Sequence, residues 1–437
     1  MMNDRRSWIL DNVVSPYGLA AISYTVFWFS CLIPPSLYSY YINEPDLMFL
    51  DPPTILFYTS CVAAFAAGVL LTRWLTPRTT FERKRVEARI SPTWFLLLPL
   101  TIGLAATIIS DVRLVRSTPT LLLLLFAQQG QDLKDAIAFG EEGNVTFPFV
   151  MLTAIVWWAY WRFHDLDLKG WRKVLVLAIW WVALLLIVVS TVLTLSRSSL
   201  LVAVCGLAIL YILRKTLMRQ VTLRFLVRGG TSIAAFTSLL FFAFSFLRGS
   251  SSWEDQIYLL IGYTFASYNR LAAVVNGTIR APLIDRGIHL SGFVSYNHTF
   301  NRFIPINQIM GWRGNADLFD SAFWAVSNAG LDGHLVWPGA FGDIFLSLGW
   351  YSFIFVFGYG LLYGLVWKWM LQGRAIGVVL YPSFGFCILF WLGSNQLLSS
   401  DSAVYWVGAV LLAGYELIFV KRVEQNRNGK GLRTADS

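Results

Sequence analysis

Arg197 stands in the run STVLTLSRSSL (190–200), flanked by the hydroxyls of Ser196, Ser198 and Ser199. A planar guanidinium among hydroxyl donors suits a phosphate or pyrophosphate better than an ammonium does. The same arginine equally suits a membrane surface, where it would snorkel and close a helix end. A second constellation lies in GLDGHLVWPGAFGDIFLSLGW (330–350), where His334 and Asp343 straddle Pro338. The proline keeps the pair off one regular helix, yet an imidazole and a carboxylate near one boundary could exchange a proton with a substrate. Read blandly, His334 is a satisfied polar residue and Asp343 a carboxylate at a helix N-terminus. The third group is the set of six cations in residues 247–338, all arginine: Arg248, Arg270, Arg280, Arg286, Arg302 and Arg313. Six acids, four tryptophans and three histidines share that stretch.

The elements that must position these groups are membrane spans. Hydrophobic residues make up 56% of the 437 and charged residues 14%, with a mean hydropathy of +0.59, outside the soluble range. A bilayer core about 30 Å thick needs about 20 apolar residues per helix. Ten segments meet or approach that length: 17–39, 54–75, 92–110, 146–161, 174–195, 199–213, 231–247, 340–369, 376–398 and 403–420. The fold class is therefore all-α and polytopic, one integral membrane domain over 1–437 with a single large outer loop, 247–338.

Basic residues set the orientation. With the N-terminus inside, the inner segments hold 24 of the 34 Lys and Arg, so both termini are expected in the cytoplasm. The net charge of +9 follows from this bias and needs no nucleic acid as partner. The first apolar segment begins too late and runs too long for a cleaved signal, and is expected to stay as an anchor. Cys31, Cys61, Cys205 and Cys387 all fall in spans and read as packing residues. The acids of Asp165-Leu166-Asp167 are too weak a pattern for a metal site, and no phosphate-loop, dinucleotide or zinc-protease motif occurs.

Two outer segments carry structure of their own. The run TPTLLLLLFAQQGQDLKDAI (118–137) starts apolar but is too short to span, and reads as an interfacial or re-entrant helix. The large loop opens with WEDQIYLLIGYTFASYNRLAAVVNG (253–277), which has helical spacing and puts Arg270 on its apolar face. An arginine there is costly unless it meets an anion or an aromatic ring. The rest of the loop is rich in Gly, Asn and Pro and predicts irregular structure.

With these features together, the chain resembles the Wzy-type oligosaccharide repeat-unit polymerases of bacterial surface polysaccharide pathways. The resemblance rests on the many-span layout with a dominant late outer loop and on the short Ser196-Arg197-Ser198 turn between middle spans. It rests also on the run Gly342-Asp343-Ile344-Phe345-Leu346-Ser347-Leu348-Gly349, which opens the span after the loop. The R-x10-G repeats of some members are missing, which leaves open which loop arginines would touch substrate. The resemblance implies a GT-C-like membrane glycosyltransferase of the bacterial inner membrane. It would take a growing glycan from undecaprenyl pyrophosphate and join it to the next lipid-linked repeat unit at the periplasmic face. Arg197, Arg270, Arg280 and Arg302 would bind pyrophosphate or glycan, and His334 or Asp343 would act on the acceptor hydroxyl. The donor carries its own activation, so neither cofactor nor metal is implied. The implied partners are lipid-linked oligosaccharides, the bilayer and a chain-length regulator.

Two rivals are weighed against this reading. An O-antigen ligase uses the same donor with a different acceptor and would share an arginine–histidine site. A pathway transporter or flippase would place its ionisable residues at mid-membrane in repeat-related positions, whereas the charges within these spans fall near their ends.

Overall fold

Proline begins each of the first four helices, where its missing N–H costs no hydrogen bond and its fixed φ suits the first turn. These are α1 (Pro16–Cys31), α2 (Pro35–Ile42), α3 (Pro52–Leu75) and α4 (Pro92–Ser117). They are followed by α5 (Thr146–Phe163), α6 (Gly170–Leu193), α7 (Arg197–Leu217), α8 (Leu223–Leu247) and α9 (Trp253–Ile261). A π-helical turn, Gly262–Ala266, leads into α10 (Ser267–Val275). The chain closes with α11 (Asn315–Asn328), α12 (Gly339–Leu348), α13 (Ser352–Leu371), α14 (Ala375–Leu389) and α15 (Ser400–Phe419). The computed structural model describes residues 13–75, 86–118, 121, 146–166, 168–217, 223–247, 252–280, 309, 311, 315–393 and 395–422. Among them the one sheet is a short antiparallel pair, β1 (Val86–Ala88) with β2 (Val420–Arg422), in register Val86 to Arg422.

A helix lies at each of the ten positions expected, but fewer of them can cross a bilayer alone. Among the described residues six helices are long and apolar enough, or seven if α1 and α2, bent by 93° at their junction, count as one. The expected span 17–39 is thus broken at Pro34 and Pro35, since a proline ring cannot continue the α-helical ladder. The span expected at 376–398 stops at Leu389, giving a 15-residue helix. α5 also fails, and its surroundings explain why it can. Trp157, Trp158 and Trp161 are among the largest fully buried side chains, and α14 is buried along nearly its whole length. Helices enclosed by protein need not match the apolarity of helices that face lipid. α6 shows the opposite pattern, leaving Trp171, Val174, Trp181, Val182 and Leu185 exposed. Apolar surface of that extent fits a lipid surrounding.

α3 and α13 pack backbone to backbone along one seam. Gly360 and Gly364 form a small-xxx-small pair, which lets backbones approach where lipid offers no hydrophobic drive. A Cβ on Gly360 would collide with the Phe65 carbonyl oxygen, and one on Gly68 with that of Phe357. Thr72 Oγ1 reaches across the seam to the Leu361 carbonyl at 3.1 Å.

The bundle has a polar cluster at each end. At the basic end, Arg162 closes α5 and donates to Glu416 of α15 from Nη2 at 2.7 Å, to Asp165 at 3.2 Å and to the Gly373 carbonyl at 2.8 Å. Arg214 of α7 holds the other Asp165 oxygen at 2.8 Å and lies over the Trp161 ring. Asp165 is therefore committed to two guanidinium groups. The β1–β2 pair lies beside the end of α15, where Arg89 donates to the Phe419 carbonyl.

Candidate functional site

Opposite the basic end, three connections converge: α6 to α7, α11 to α12, and α14 to α15. The first is the tightest. α6 ends in a Schellman turn, with Ser196 donating to the Thr191 carbonyl at 3.0 Å and Leu195 to that of Val192 at 3.1 Å. Leu195 takes the left-handed position, φ 49°, usually given to glycine. A side chain there costs on the order of 1–3 kcal/mol, offset here by full burial beside Leu114, Leu121, Leu200 and Phe244. The turn sets Arg197 at the first residue of α7, with Ser196 Oγ 2.7 Å from Ser199 Oγ. Arg197 Nη1 donates to Ser245 of α8 at 3.2 Å. A cation at a helix N-terminus opposes the helix dipole, by about 0.3–1 kcal/mol at an exposed site, so the position favours an anion nearby.

An acid that the sequence analysis does not single out is bonded to this turn. Ser199 Oγ donates to Asp401 Oδ2 at 2.7 Å, and Asp401 lies in the first turn of α15. The connection leading into α15 is held from two sides. Ser399 caps the helix by accepting from the Ser402 N–H, and Ser402 Oγ donates to the Gln396 carbonyl at 2.6 Å. On the other side Asp343 Oδ2 accepts from the Asn395 N–H at 2.9 Å. Ala340 donates to the Trp391 carbonyl at 2.9 Å. The motif glycines around Asp343 have local reasons. A Cβ on Gly342 would collide with Pro338, and Gly349 ends α12 at φ 57°, ψ −136°, a region almost confined to glycine.

The other expected site residues go elsewhere. Arg270 is completely buried. It pairs with Glu44 through Nη1–Oε1 at 2.6 Å and Nη2–Oε2 at 2.7 Å, and donates to the Ala266 and Asp332 carbonyls at 3.1 and 2.9 Å. Its Nε donates to the Leu335 carbonyl. All five guanidinium donors thus meet protein acceptors, and none is left for the pyrophosphate expected of it. Burial acts to raise the Glu44 carboxyl, but the Arg270 hydrogen bonds and charge outweigh it and hold the group below its usual range. Asn269 completes the clamp, donating to Glu44 at 3.0 Å and accepting from the Leu47 N–H at 2.6 Å.

His334 is 82% exposed, its Nδ1 3.0 Å from Asp332 Oδ1, and its ring meets Phe323 edge-on. Through Asp332 it belongs to the Arg270–Glu44 clamp, and no hydrogen bond joins it to Asp343. Arg280 is exposed and donates to its own turn, at the Gly277 carbonyl. Arg302 lies outside the described residues, as does most of the run 118–137. Asp111, expected in an outer segment, sits inside α4. It is buried, with Oδ2 accepting from Ser190 at 2.6 Å and Oδ1 without a hydrogen-bond partner among the described residues.

Asp401 and Asp111 escape the signal used for Asp343, an acid within an otherwise apolar helix, because the spans read from the sequence stop at 110 and 398 and resume at 403. Glu44 carried none, because its partner lies 226 positions away. The fold and the site together define a multi-span helical membrane protein with an arginine–serine–aspartate cluster at the end opposite its basic face. Comparison of the chain with protein-family models, curated proteins and solved structures finds no match.

Proposed function

We propose that this chain is a metal-independent glycosyltransferase that polymerises lipid-linked oligosaccharide repeat units at the outer face of a bacterial inner membrane. In this reading the architecture is GT-C-like, both termini are cytoplasmic, and the donor is a glycan on undecaprenyl pyrophosphate. The observation that carries it is the placement of Arg197 at a helix N-terminus, in the turn whose Ser199 bonds Ser196 and Asp401. A pyrophosphate leaving group develops charge that needs fixed cations and donors, and a guanidinium backed by a helix N-terminus is such a set. Resemblance of the Ser196-Arg197-Ser198 turn and of the Gly342–Gly349 run to the Wzy-type polymerases supports the same chemistry.

Of the arginines expected to bind pyrophosphate or glycan, Arg197 takes the pyrophosphate role. Arg270 serves the scaffold, and Arg280 is bonded to its own turn. Exposed Trp253 and Trp324 offer faces on which sugar rings stack. His334, at the exposed rim, is suited to contact the glycan.

The test is the polysaccharide profile of a strain lacking the gene. Retention of a single capped repeat, with long chains lost, supports the polymerase. Loss of every capped core points instead to a ligase, and build-up of unflipped lipid-linked units on the cytoplasmic side points to a flippase. An unchanged profile sinks all three.

A further inference from the structure

We infer that Asp401 is the carboxylate that takes the acceptor proton, and that Asp343 is the positioning residue that holds Asp401 in place. This rests on the glycosyl-transfer reading above. Arg197 and Asp401 are brought to one place by a two-step contact. Arg197 opens α7, Ser199 follows in the same turn, and Ser199 Oγ holds Asp401 Oδ2 at 2.7 Å. Ser199 is itself buried at 3% exposure, so the serine is a fixed bracket between the two charged groups.

A base must keep lone pairs for the proton it will receive. Among the described residues Asp401 takes one hydrogen bond, from Ser199 on Oδ2, which leaves Oδ1 to receive a proton. Asp343 is placed differently. Its Oδ2 accepts from the Asn395 backbone N–H, which fixes the Trp391–Ser399 connection. Asn395 Nδ2 then reaches the Tyr359 hydroxyl at 3.1 Å. That connection runs directly into the Ser399 cap and the first turn of α15, where Asp401 stands. Asp343 thus acts on the site through backbone, and Asp401 through a free carboxylate oxygen.

The step balances without a further reactant. The acceptor hydroxyl gives its proton to Asp401 as its oxygen bonds to the donor's anomeric carbon. The bond from that carbon to the pyrophosphate oxygen breaks, and its electron pair leaves with the lipid pyrophosphate, whose added charge faces Arg197. The proton then passes from Asp401 to solvent or to the departing pyrophosphate.

Asp401→Asn is the discriminating variant, because its amide oxygen can still accept from Ser199 while the proton acceptor is gone. The full-length protein is reconstituted in liposomes with undecaprenyl pyrophosphate-linked repeat units extracted from the deletion strain, and chain extension is followed across pH. Wild type is expected to extend the probe with a rate that falls on the acid side. Asp401→Asn should lose at least about 100-fold of rate, the usual scale for a general base, and any residual rate should lack the acid limb. Asp401→Glu should recover part of the rate and the limb with it. Asp343→Asn should lose rate yet keep the acid limb. Binding of undecaprenyl pyrophosphate and the thermal midpoint, measured on each variant, are expected to stay near wild type for Asp401→Asn. Extension by Asp401→Asn within threefold of wild type, or an acid limb that survives in it, overturns the assignment while leaving the polymerase reading standing. A wild-type protein that does not extend the probe overturns both.

Discussion

Arg270 and Glu44 stand 226 positions apart in the chain and meet in a two-point ion pair, Nη1 to Oε1 at 2.6 Å and Nη2 to Oε2 at 2.7 Å. The pair ties the helical opening of the large loop to the connection between α2 and α3. Three carbonyls take the remaining guanidinium donors. The Asp332 N–H donates to the second Glu44 oxygen at 2.8 Å. Two distant stretches of loop are thereby locked to one scaffold.

Removing one member leaves the other charged, buried and alone. Glu44→Ala and Arg270→Ala should each lower stability by about 3–5 kcal/mol, read as a drop in thermal midpoint in detergent and in yield. A midpoint within a degree of wild type for either would show that the pair does not hold the loop. The acid response has a definite sign. Folding lowers the Glu44 carboxyl below its ordinary value. Its stabilisation is therefore present above an unfolded pKa of about 4.3 and is lost as pH falls through the folded value. Glu44→Gln should flatten that part of the stability profile.

The α3–α13 seam gives a sharper structural test, since two glycines on α13 differ only in surroundings. A Cβ on Gly360 would collide with the Phe65 carbonyl oxygen, while one on Gly358 would meet nothing within 4 Å. Gly360→Ala is expected to cost about 1–3 kcal/mol through overpacking. Gly358→Ala should be neutral or gain up to about 1 kcal/mol from helix propensity. Equal thermal midpoints for the two variants would rule out the close approach.

Much of the helical layout is legible in the sequence, because most helices lie on apolar runs bounded by turn residues; α11 departs from this, a 14-residue helix in the Gly-, Asn- and Pro-rich stretch expected to be irregular. The span count is less legible. α5 and α14 read as membrane spans by their apolar runs, yet the structure encloses them in protein. Local pattern cannot tell a lipid face from a protein face. The site divides along the same line. Arg197 announces itself because only three residues separate α6 from α7. Arg270 misleads because nothing near it in sequence reveals Glu44. Asp401 is hidden by a boundary: reading spans to 398 and from 403 leaves it in a connection, whereas α15 begins at Ser400.

Orientation can be checked at four exposed positions. Lys169 and Arg374 flank the basic end, while Ser252 and His334 lie towards the opposite end. Single cysteines are placed at these sites after Cys31, Cys61, Cys205 and Cys387 are replaced, the first, second and last of which are buried. An impermeant maleimide should label 252 and 334 in intact cells, and 169 and 374 only after permeabilisation. The reverse pattern would invert the proposed topology. Labelling of both pairs in intact cells would show that the two ends do not face opposite sides.

Arg197 should separate function from fold. Arg197 is half-buried and donates to Ser245 at 3.2 Å, whereas Arg270 is fully buried with its guanidinium donors taken up by protein. Arg197→Ala is therefore expected to cut chain extension by about 10²–10³-fold, the scale for losing one preorganised charge-stabilising donor. The thermal midpoint should fall far less than in Arg270→Ala. Arg197→Lys keeps the charge but loses the planar fork that matches a pyrophosphate, so it should recover only part of the rate and bind undecaprenyl pyrophosphate more weakly than wild type. Equal rates for lysine and arginine would mean that charge alone matters. Wild-type rates in both variants would remove Arg197 from the site and leave the Ser196–Ser199 turn a structural device.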